Sequence, residues 1–287
     1  MISNALLKGV EPGERCVRRQ FRYASCDACV RVCPTQALSC VDGKLVVDND
    51  HCVKCAACLF VCPVEAIEGV ETEKRFFRDH ILVAPFSVIA PTVEELLFWH
   101  VENHIRGVEM DPLRHPQWML AIARLNLRLR EYGQPEWRFS RPAQSKINTS
   151  RRALFHVRPE KTASARVQPG LRRWRQLWAW MSDFRVTIDK HKCTLCGACW
   201  RACPQKLMIF NGEELIIEDV KCTGCGACAA VCVYQALTLM PFVSQREHQH
   251  FIASESHCVC CHKRFWSLNA TTKRCLFCQR HSHGMRD

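Results

Sequence analysis

The chain has 287 residues, 22 of them cysteine, and carries 40 Lys or Arg against 28 Asp or Glu, a formal charge of +12. That length implies two or more domains. Its best apolar run, ILVAPFSVIAP from Ile81, is short and holds two prolines, which excludes a membrane-spanning helix there. The opening MISNALLKGVEPGER has neither a basic start nor an apolar core and does not read as a signal peptide. The pair Arg18-Arg19 imitates a twin-arginine signal, but no apolar stretch follows it. Thiols in this number fit a reducing compartment, so the expected location is cytoplasmic.

In chain order, the first cysteine run is Cys26, Cys29, Cys33 and Pro34. A hairpin is predicted next, in ALSCVDGKLVVD, turning at Asp42-Gly43. It leads into Cys52, Cys55, Cys58, Cys62 and Pro63, a full CxxCxxCxxxCP. No cysteine then occurs from Pro63 to Lys192. Within that gap HILVAPFSVIAP reads as a buried strand. TVEELLFWHVENHI reads as a helix with Thr92 as N-cap and Glu95 at the capping-box position. GVEMD is a second strand, and PQWMLAIARLNLRLREYG is a helix closing at Gly133. Alternating strand and helix predict a small α/β layer without a nucleotide-binding fingerprint. His100, His104 and His115 read as ordinary core or surface histidines.

From Phe139 to Gly170 the chain is polar and basic and reads as a linker. Between Arg141 and Arg175 it holds ten Lys or Arg and one acid, Glu160. LRRWRQLWAWM then places Leu171, Trp174, Trp178 and Met181 on one helical face. Such a helix packs on the neighbouring module, docks a partner subunit or lies on a membrane surface, in that order of preference. Cys193, Cys196, Cys199, Cys203 and Pro204 form the second full motif, followed by a predicted hairpin in LMIFNGEELIIED at Asn211-Gly212. Cys222, Cys225, Cys228 and Cys232 complete a fourth run, with Val233 in the proline position. The C-terminal segment holds Cys258 and Cys261, then Cys275 and Cys278, two CxxC pairs separated by 13 residues. That spacing gives a tetrahedral four-thiolate site with room for a hairpin in the insert, expected to hold one Zn2+, or a single iron. Phe265, Trp266 and Leu268 are candidates for a small core there, and Cys260 is a spare thiol.

Each cysteine of the first run lies 29 residues before its counterpart in the second, and the third and fourth runs repeat the same period. Two pairs on one period are two copies of one module. CxxCxxC wraps three thiolates around one compact inorganic core, whereas zinc prefers two separated CxxC pairs and a disulfide framework needs an oxidising compartment. Residues 16–67 and 193–239 resemble bacterial two-[4Fe-4S] ferredoxin modules. The resemblance implies four [4Fe-4S] clusters with crossed ligation. Cluster one takes Cys26, Cys29 and Cys62 with one further ligand. Cluster two takes Cys52, Cys55, Cys58 and Cys33, cluster three Cys193, Cys196, Cys199 and Cys232, and cluster four Cys222, Cys225, Cys228 and Cys203. The departure is Tyr23, which occupies the missing ligand position. Cys16 is the preferred fourth ligand; Cys40, or a three-iron or labile-iron cluster, are the alternatives.

These readings define an α+β chain of two ferredoxin-like dicluster modules joined by a small α/β segment, with a C-terminal zinc-ribbon-like knuckle. The expected boundaries are 1–75 for the first module, 76–140 for the cysteine-free segment and 141–182 for linker and amphipathic helix. The second module takes 183–243 and the knuckle 244–287. Four cubanes and one zinc with their thiolates carry roughly −10, so the positive excess mostly offsets cofactors and does not imply nucleic acid. The expected function is electron transfer to or from a larger cytoplasmic oxidoreductase, without catalysis by the chain itself. The basic linker would dock an acidic partner surface, and peripheral membrane contact through the tryptophan helix stays open. An assembly or docking factor with structural clusters, and an enzyme with a labile-iron cluster at the Tyr23 gap, are the competing readings.

Overall fold

The computed structural model describes residues 9–142, 162–170, 173, 177–245 and 247–280. Its elements in chain order begin with β1 (Glu11–Pro12), α1 (Val17–Gln20), α2 (Ala28–Val32), β2 (Leu38–Val41), β3 (Lys44–Val47), α3 (Ala57–Val61) and β4 (Ile67–Glu68). They continue with β5 (Arg75–Arg78), β6 (Ile81–Val83), α4 (Val93–Glu102), β7 (Gly107–Glu109), α5 (Pro116–Glu131), β8 (Arg138–Ser140) and β9 (Ala163–Ala165). After β10 (Met181–Ile188) come α6 (Ala198–Ala202), β11 (Met208–Phe210), β12 (Glu214–Glu218), α7 (Ala227–Ala230), β13 (Leu237–Gln245), β14 (His248–Ile252), β15 (Ser254–His257), β16 (Arg264–Ser267) and α8 (Leu276–Arg280). They fold as two compact units, one of residues 1–13, 27–40 and 46–177, the other of residues 14–26, 41–45 and 178–287.

The first unit contains a five-stranded sheet in the order β8-β7-β6-β5-β9. Strands β6, β7 and β8 run parallel, with Leu82 opposite Val108 and Val108 opposite Phe139; β5 is antiparallel to both β6 and β9. Parallel neighbours need a long crossover, which α4 and α5 supply. Leu82, Val108, Leu96, Trp99, Leu125 and Leu129 are buried between sheet and helices. Phe60 on α3 meets Phe98 on α4 at 6.2 Å, joining the second cysteine run to this layer.

The helices follow expectation closely. Thr92 caps α4 by accepting a hydrogen bond from Glu95 N at 3.2 Å. The reciprocal half of the capping box does not form, because the Glu95 carboxylate turns inward. It meets Arg75, whose Nη2 donates to Oε2 at 3.1 Å, and both residues are buried. α5 ends before Gly133, which adopts φ +64. The predicted strand over 80–91 is shorter, Ile81–Val83, because Pro85 and Pro91 have no N–H to give a ladder. The predicted linker overlaps the end of one edge strand, β8, and contains the other, β9. Arg-Phe-Ser and Ala-Ser-Ala are too short to show a period, and pairing alone defines them. Most of its basic run lies outside the described residues. Of the described cations, Arg166 donates to Thr72 O and approaches Glu71, and Arg173 pairs with Glu102 at 3.0 Å.

The tryptophan segment agrees with expectation only in part: Arg173 and Leu177 are helical, but the helix does not continue past Leu177. Leu171 and Trp174 lie outside the described residues, and Met181 opens strand β10 in place of continuing a helix. Its pairing with β13, Val186 opposite Leu239 and Ile188 opposite Leu237, overrides helical periodicity. Trp178 is buried and Trp180 exposed.

In the second unit β10 and β13 form one antiparallel pair and β11-β12-β14 another sheet. Both predicted hairpins are present. Asp42 and Gly43 both take positive φ, as a two-residue turn requires, and Asn211 Oδ1 accepts from the N–H groups of Glu213 and Glu214. Strand β14 pairs with β12, Leu215 opposite Phe251, so the segment after residue 243 is part of this sheet. Gln249 on β14 also donates to Asp219 Oδ2 at 2.6 Å. The core joins Val186, Leu207, Met208, Leu215 and Ile217 to Ala253 and Leu268.

Candidate metal centres

Three cysteine runs share one backbone device. The residues on either side of the second cysteine take left-handed φ: Lys54 and Ala56 around Cys55, Leu195 and Gly197 around Cys196, Gly224 and Gly226 around Cys225. Alternating left- and right-handed residues aim successive N–H groups into a concavity suited to an anionic group such as thiolate-bound iron–sulfur. Three of these six residues are glycine, and only the glycines adopt that region without penalty. A second device closes all four runs. Gln36, Glu65, Lys206 and Gln235, each three residues past a run's last cysteine, have positive φ, and each N–H bonds that cysteine's carbonyl. Neither device has a residue signature, which is why the sequence does not reveal it. The first run keeps the closing turn but not the opening one: Asp27, at the position of Ala56, has φ −133.

The crossed sets come together in three cases. Cys52, Cys55, Cys58 and Cys33 interact electrostatically, and burial followed by mutual repulsion pushes the Cys58 thiol up to about 12. Burial also opposes ionisation of Cys33, but hydrogen bonds from the Thr35 hydroxyl and from the N–H groups of Thr35, Ala37 and Leu38 outweigh it and lower this thiol. In the second unit Cys193, Cys196, Cys199 and Cys232 line one apolar cavity with Ile188, Leu195 and Trp200. Burial, then repulsion led by Cys193, raises Cys199 to about 12. Cys222, Cys225, Cys228 and Cys203 form the next set; burial is the largest cause of raising Cys222 and Cys228 to about 12. Four free thiols brought together on such loops fit a cationic iron core that stabilises the thiolates.

Sulfur also accepts backbone hydrogen bonds. Ala66 N donates to Cys62 Sγ at 3.2 Å and Ala236 N to Cys232 Sγ at 3.3 Å, repeating the same contact in both modules.

The proposed cluster-one residues are placed less simply. Cys16 and Cys26 belong to the second unit, Cys29 and Cys62 to the first. Cys16 is the N-cap residue of α1, Tyr23 is 76% exposed, and Cys40 is exposed on β2.

At the C-terminus the Sγ atoms of Cys258, Cys261, Cys275 and Cys278 all lie within 4.8 Å of one another. Cys261 and Cys275 are 3.8 Å apart, which matches the edge of about 3.8 Å of a tetrahedron with metal–sulfur bonds of about 2.3 Å. Burial opposes ionisation of Cys258, but N–H groups of Cys275, Cys261 and Cys260 outweigh it and draw the thiol down to about 5. Hydrogen bonding to Cys261 and then burial push Cys278 up. The hairpin is not in the 13-residue insert. β15 and β16 flank the first CxxC instead, His257 opposite Arg264, so the Cys258–Cys261 loop is itself the hairpin turn. Leu268 and Trp266 join the core of the second unit and do not make a separate one.

Comparison with known families agrees with these sites. Residues 185–233 match the 4Fe-4S dicluster domain, and residues 45–68 match the 4Fe-4S binding domain. A search of curated proteins found no match to the chain. The chain therefore carries ferredoxin-type 4Fe-4S domains in a mixed α and β fold. Among the described residues no helix is long and apolar enough to cross a membrane.

Proposed function

We propose that the chain is an iron–sulfur electron-transfer protein. It would relay single electrons through up to four [4Fe-4S] clusters to or from a larger cytoplasmic oxidoreductase. The observation that carries this reading is the convergence of three four-thiol sets, each completed by a cysteine crossing over from the neighbouring run. A bound [4Fe-4S] cluster supplies reversible one-electron storage. The chain's residues hold it, lower its charge penalty and set its exposure. Four cysteines per set leave no open position for substrate, which supports a carrier and not a catalyst. Alanine N–H donors to Cys62 and Cys232 ease added negative charge on those sulfurs. The C-terminal set is proposed as a closed Zn2+ site, with a single iron as the other candidate. Its packing into the second unit favours a structural role, and so gives some weight to a docking function for that end of the chain. Iron and sulfide analysis of anaerobically purified protein, with electron paramagnetic resonance after dithionite reduction, tests the proposal. About four cubanes are expected; fewer than about three, or clusters that accept no electron at any accessible potential, would defeat it.

A further inference from the structure

The second unit has a groove that the electron-transfer reading does not use. It encloses about 410 Å³ between the cluster-three loop and the four-cysteine knuckle. That volume is in the range of small-ligand sites, and such sites combine apolar walls with a few placed polar groups. Here the walls are aromatic: Phe210, Phe265, Trp266 and Phe277. Phe210 and Trp266 stand edge to face at 71°, with ring centroids 6.4 Å apart. Phe277 is 74% exposed, a large aromatic side chain with no core position. The charged lining is Lys263 and Arg264, with no Asp or Glu among the lining residues. Arg264 has an acid within reach outside the groove, Glu255 at 3.4 Å, and its side chain remains 72% exposed. Thr194, Leu195 and Cys196 line both this groove and the cavity of the cluster-three thiols, so one strip of chain separates the two.

We infer that this groove binds a planar heteroaromatic ring carrying a phosphate, the ring against Phe277 and Trp266 and the phosphate at Lys263 and Arg264. Exposed aromatic faces stack on any conjugated ring, and a cation pair in a groove whose lining holds no carboxylate selects an anionic tail. An aliphatic ligand would leave the exposed Phe277 face unstacked, and a neutral one would bring no counter-charge to Lys263. Flavin mononucleotide and adenosine monophosphate share this chemistry, and the experiment separates them. The inference goes beyond the electron-transfer proposal. It needs the knuckle intact, since Cys261, Cys275 and Cys278 form part of the wall.

Equilibrium dialysis of the full, anaerobically purified chain against each nucleotide tests it, with metal content measured on the same sample. One equivalent of at least one probe should bind at micromolar concentration. Lys263→Ala should weaken it about tenfold, the scale of one charge-assisted hydrogen bond. Phe277→Ala should weaken it by a comparable factor, and riboflavin, lacking phosphate, should bind no better to the parent chain than flavin mononucleotide does to Lys263→Ala. Both side chains lie outside the core and the metal ligands, so the variants should fold. No binding of either probe at about 1 mM, or affinities untouched by both substitutions, overturns the inference. Full cluster content without nucleotide binding would sink the groove alone; nucleotide binding by a chain lacking clusters would sink the electron-transfer reading alone.

Discussion

Individual residues around the sulfurs are constrained by backbone sign more than by side-chain chemistry. Gly224 and Gly226 flank Cys225 with the same φ of +73, yet their surroundings differ. A Cβ on Gly224 would lie 2.4 Å from the Phe184 ring, whereas one on Gly226 meets nothing within 4 Å. Gly226→Ala should therefore cost only the left-handed penalty, about 1–2 kcal/mol. Gly224→Ala adds displacement of Phe184, raising the loss to about 2–5 kcal/mol. Denaturant titration of the two holoproteins under argon checks the order; equal losses would mean that Phe184 yields freely. His100 gives a second residue-scale test. It is 1% exposed, accepts a hydrogen bond from Trp137 Nε1 at 2.9 Å, and burial followed by the Arg106 charge lowers it to about 4. Unfolded histidine titrates near 6.5, so the unfolded chain takes up the proton first as pH falls. The stability from neutral His100 is complete above about pH 6.5 and is lost progressively toward pH 4, up to about 3 kcal/mol. His100→Asn keeps an acceptor for Trp137 and removes the titration. The stability difference between parent and variant should shrink or reverse across that window, and a flat difference would contradict a neutral buried imidazole.

At the level of elements, legibility tracked whether a segment carries its own reason for its shape. The 29-residue period, the Asp42-Gly43 turn, the Thr92 cap and the Gly133 stop are local instructions, and each is in place. What the sequence hid depends on distant partners. Ala163–Ala165 becomes a strand only because Arg75–Phe77 lies beside it, and Met181–Ile188 becomes one because Leu237–Gln245 does. The hairpin around Cys258–Cys261 was misplaced because CxxC spacing counts sulfurs and is silent about the strands that present them. Glu95 shows the same limit. Its spacing from Thr92 suggested a capping partner, but Arg75 on β5 claims the carboxylate. Arg75 also donates to Ser87 Oγ at 3.1 Å and lies over Trp118 at 4.8 Å, so α4, α5 and β5 meet at one buried guanidinium. Glu95→Ala would leave that cation with only the partly exposed Glu73, at 3.4 Å, as a carboxylate. The expected loss is about 3–5 kcal/mol, well above the loss of an N-cap contact. Thr92→Ala, costing about 1 kcal/mol, is the internal comparison, and near-equal values in thermal melts would show that capping, not the ion pair, is what Glu95 supplies.

For the molecule, the consequential finding is that the four-cysteine segment is built into the second ferredoxin-type unit. Leu268 is buried with Val186, Leu215 and Ile217, and Trp266 packs on the same core. From Trp266 a ring contact leads to Phe210 at 6.4 Å and a stack to Trp200 at 5.9 Å, the residue after Cys199. Asn269 Nδ2 lies 3.1 Å from His191 Nδ1, two residues before Cys193. A metal that closed the knuckle would therefore also fix side chains packed beside the Cys193–Cys199 loop. Stripping it frees β15 and β16, withdraws Leu268 and Trp266, and should destabilise the second unit by about 3–5 kcal/mol, the scale of losing large core side chains. Oxygen would then reach cluster three sooner. Cys275→Ser is the cleaner perturbation, because a chelator also attacks iron. The variant should lose one metal ion, lower the melting transition of the second unit, and bleach faster in air at cluster three. The proposed cluster two would lie in the other unit, none of whose described residues is in this core, and its bleaching rate should be unchanged. Unaltered bleaching of cluster three in a variant shown to lack the C-terminal metal would reduce the knuckle to a passive appendage. Accelerated bleaching at both centres would point to general unfolding and remove the argument for a local cover.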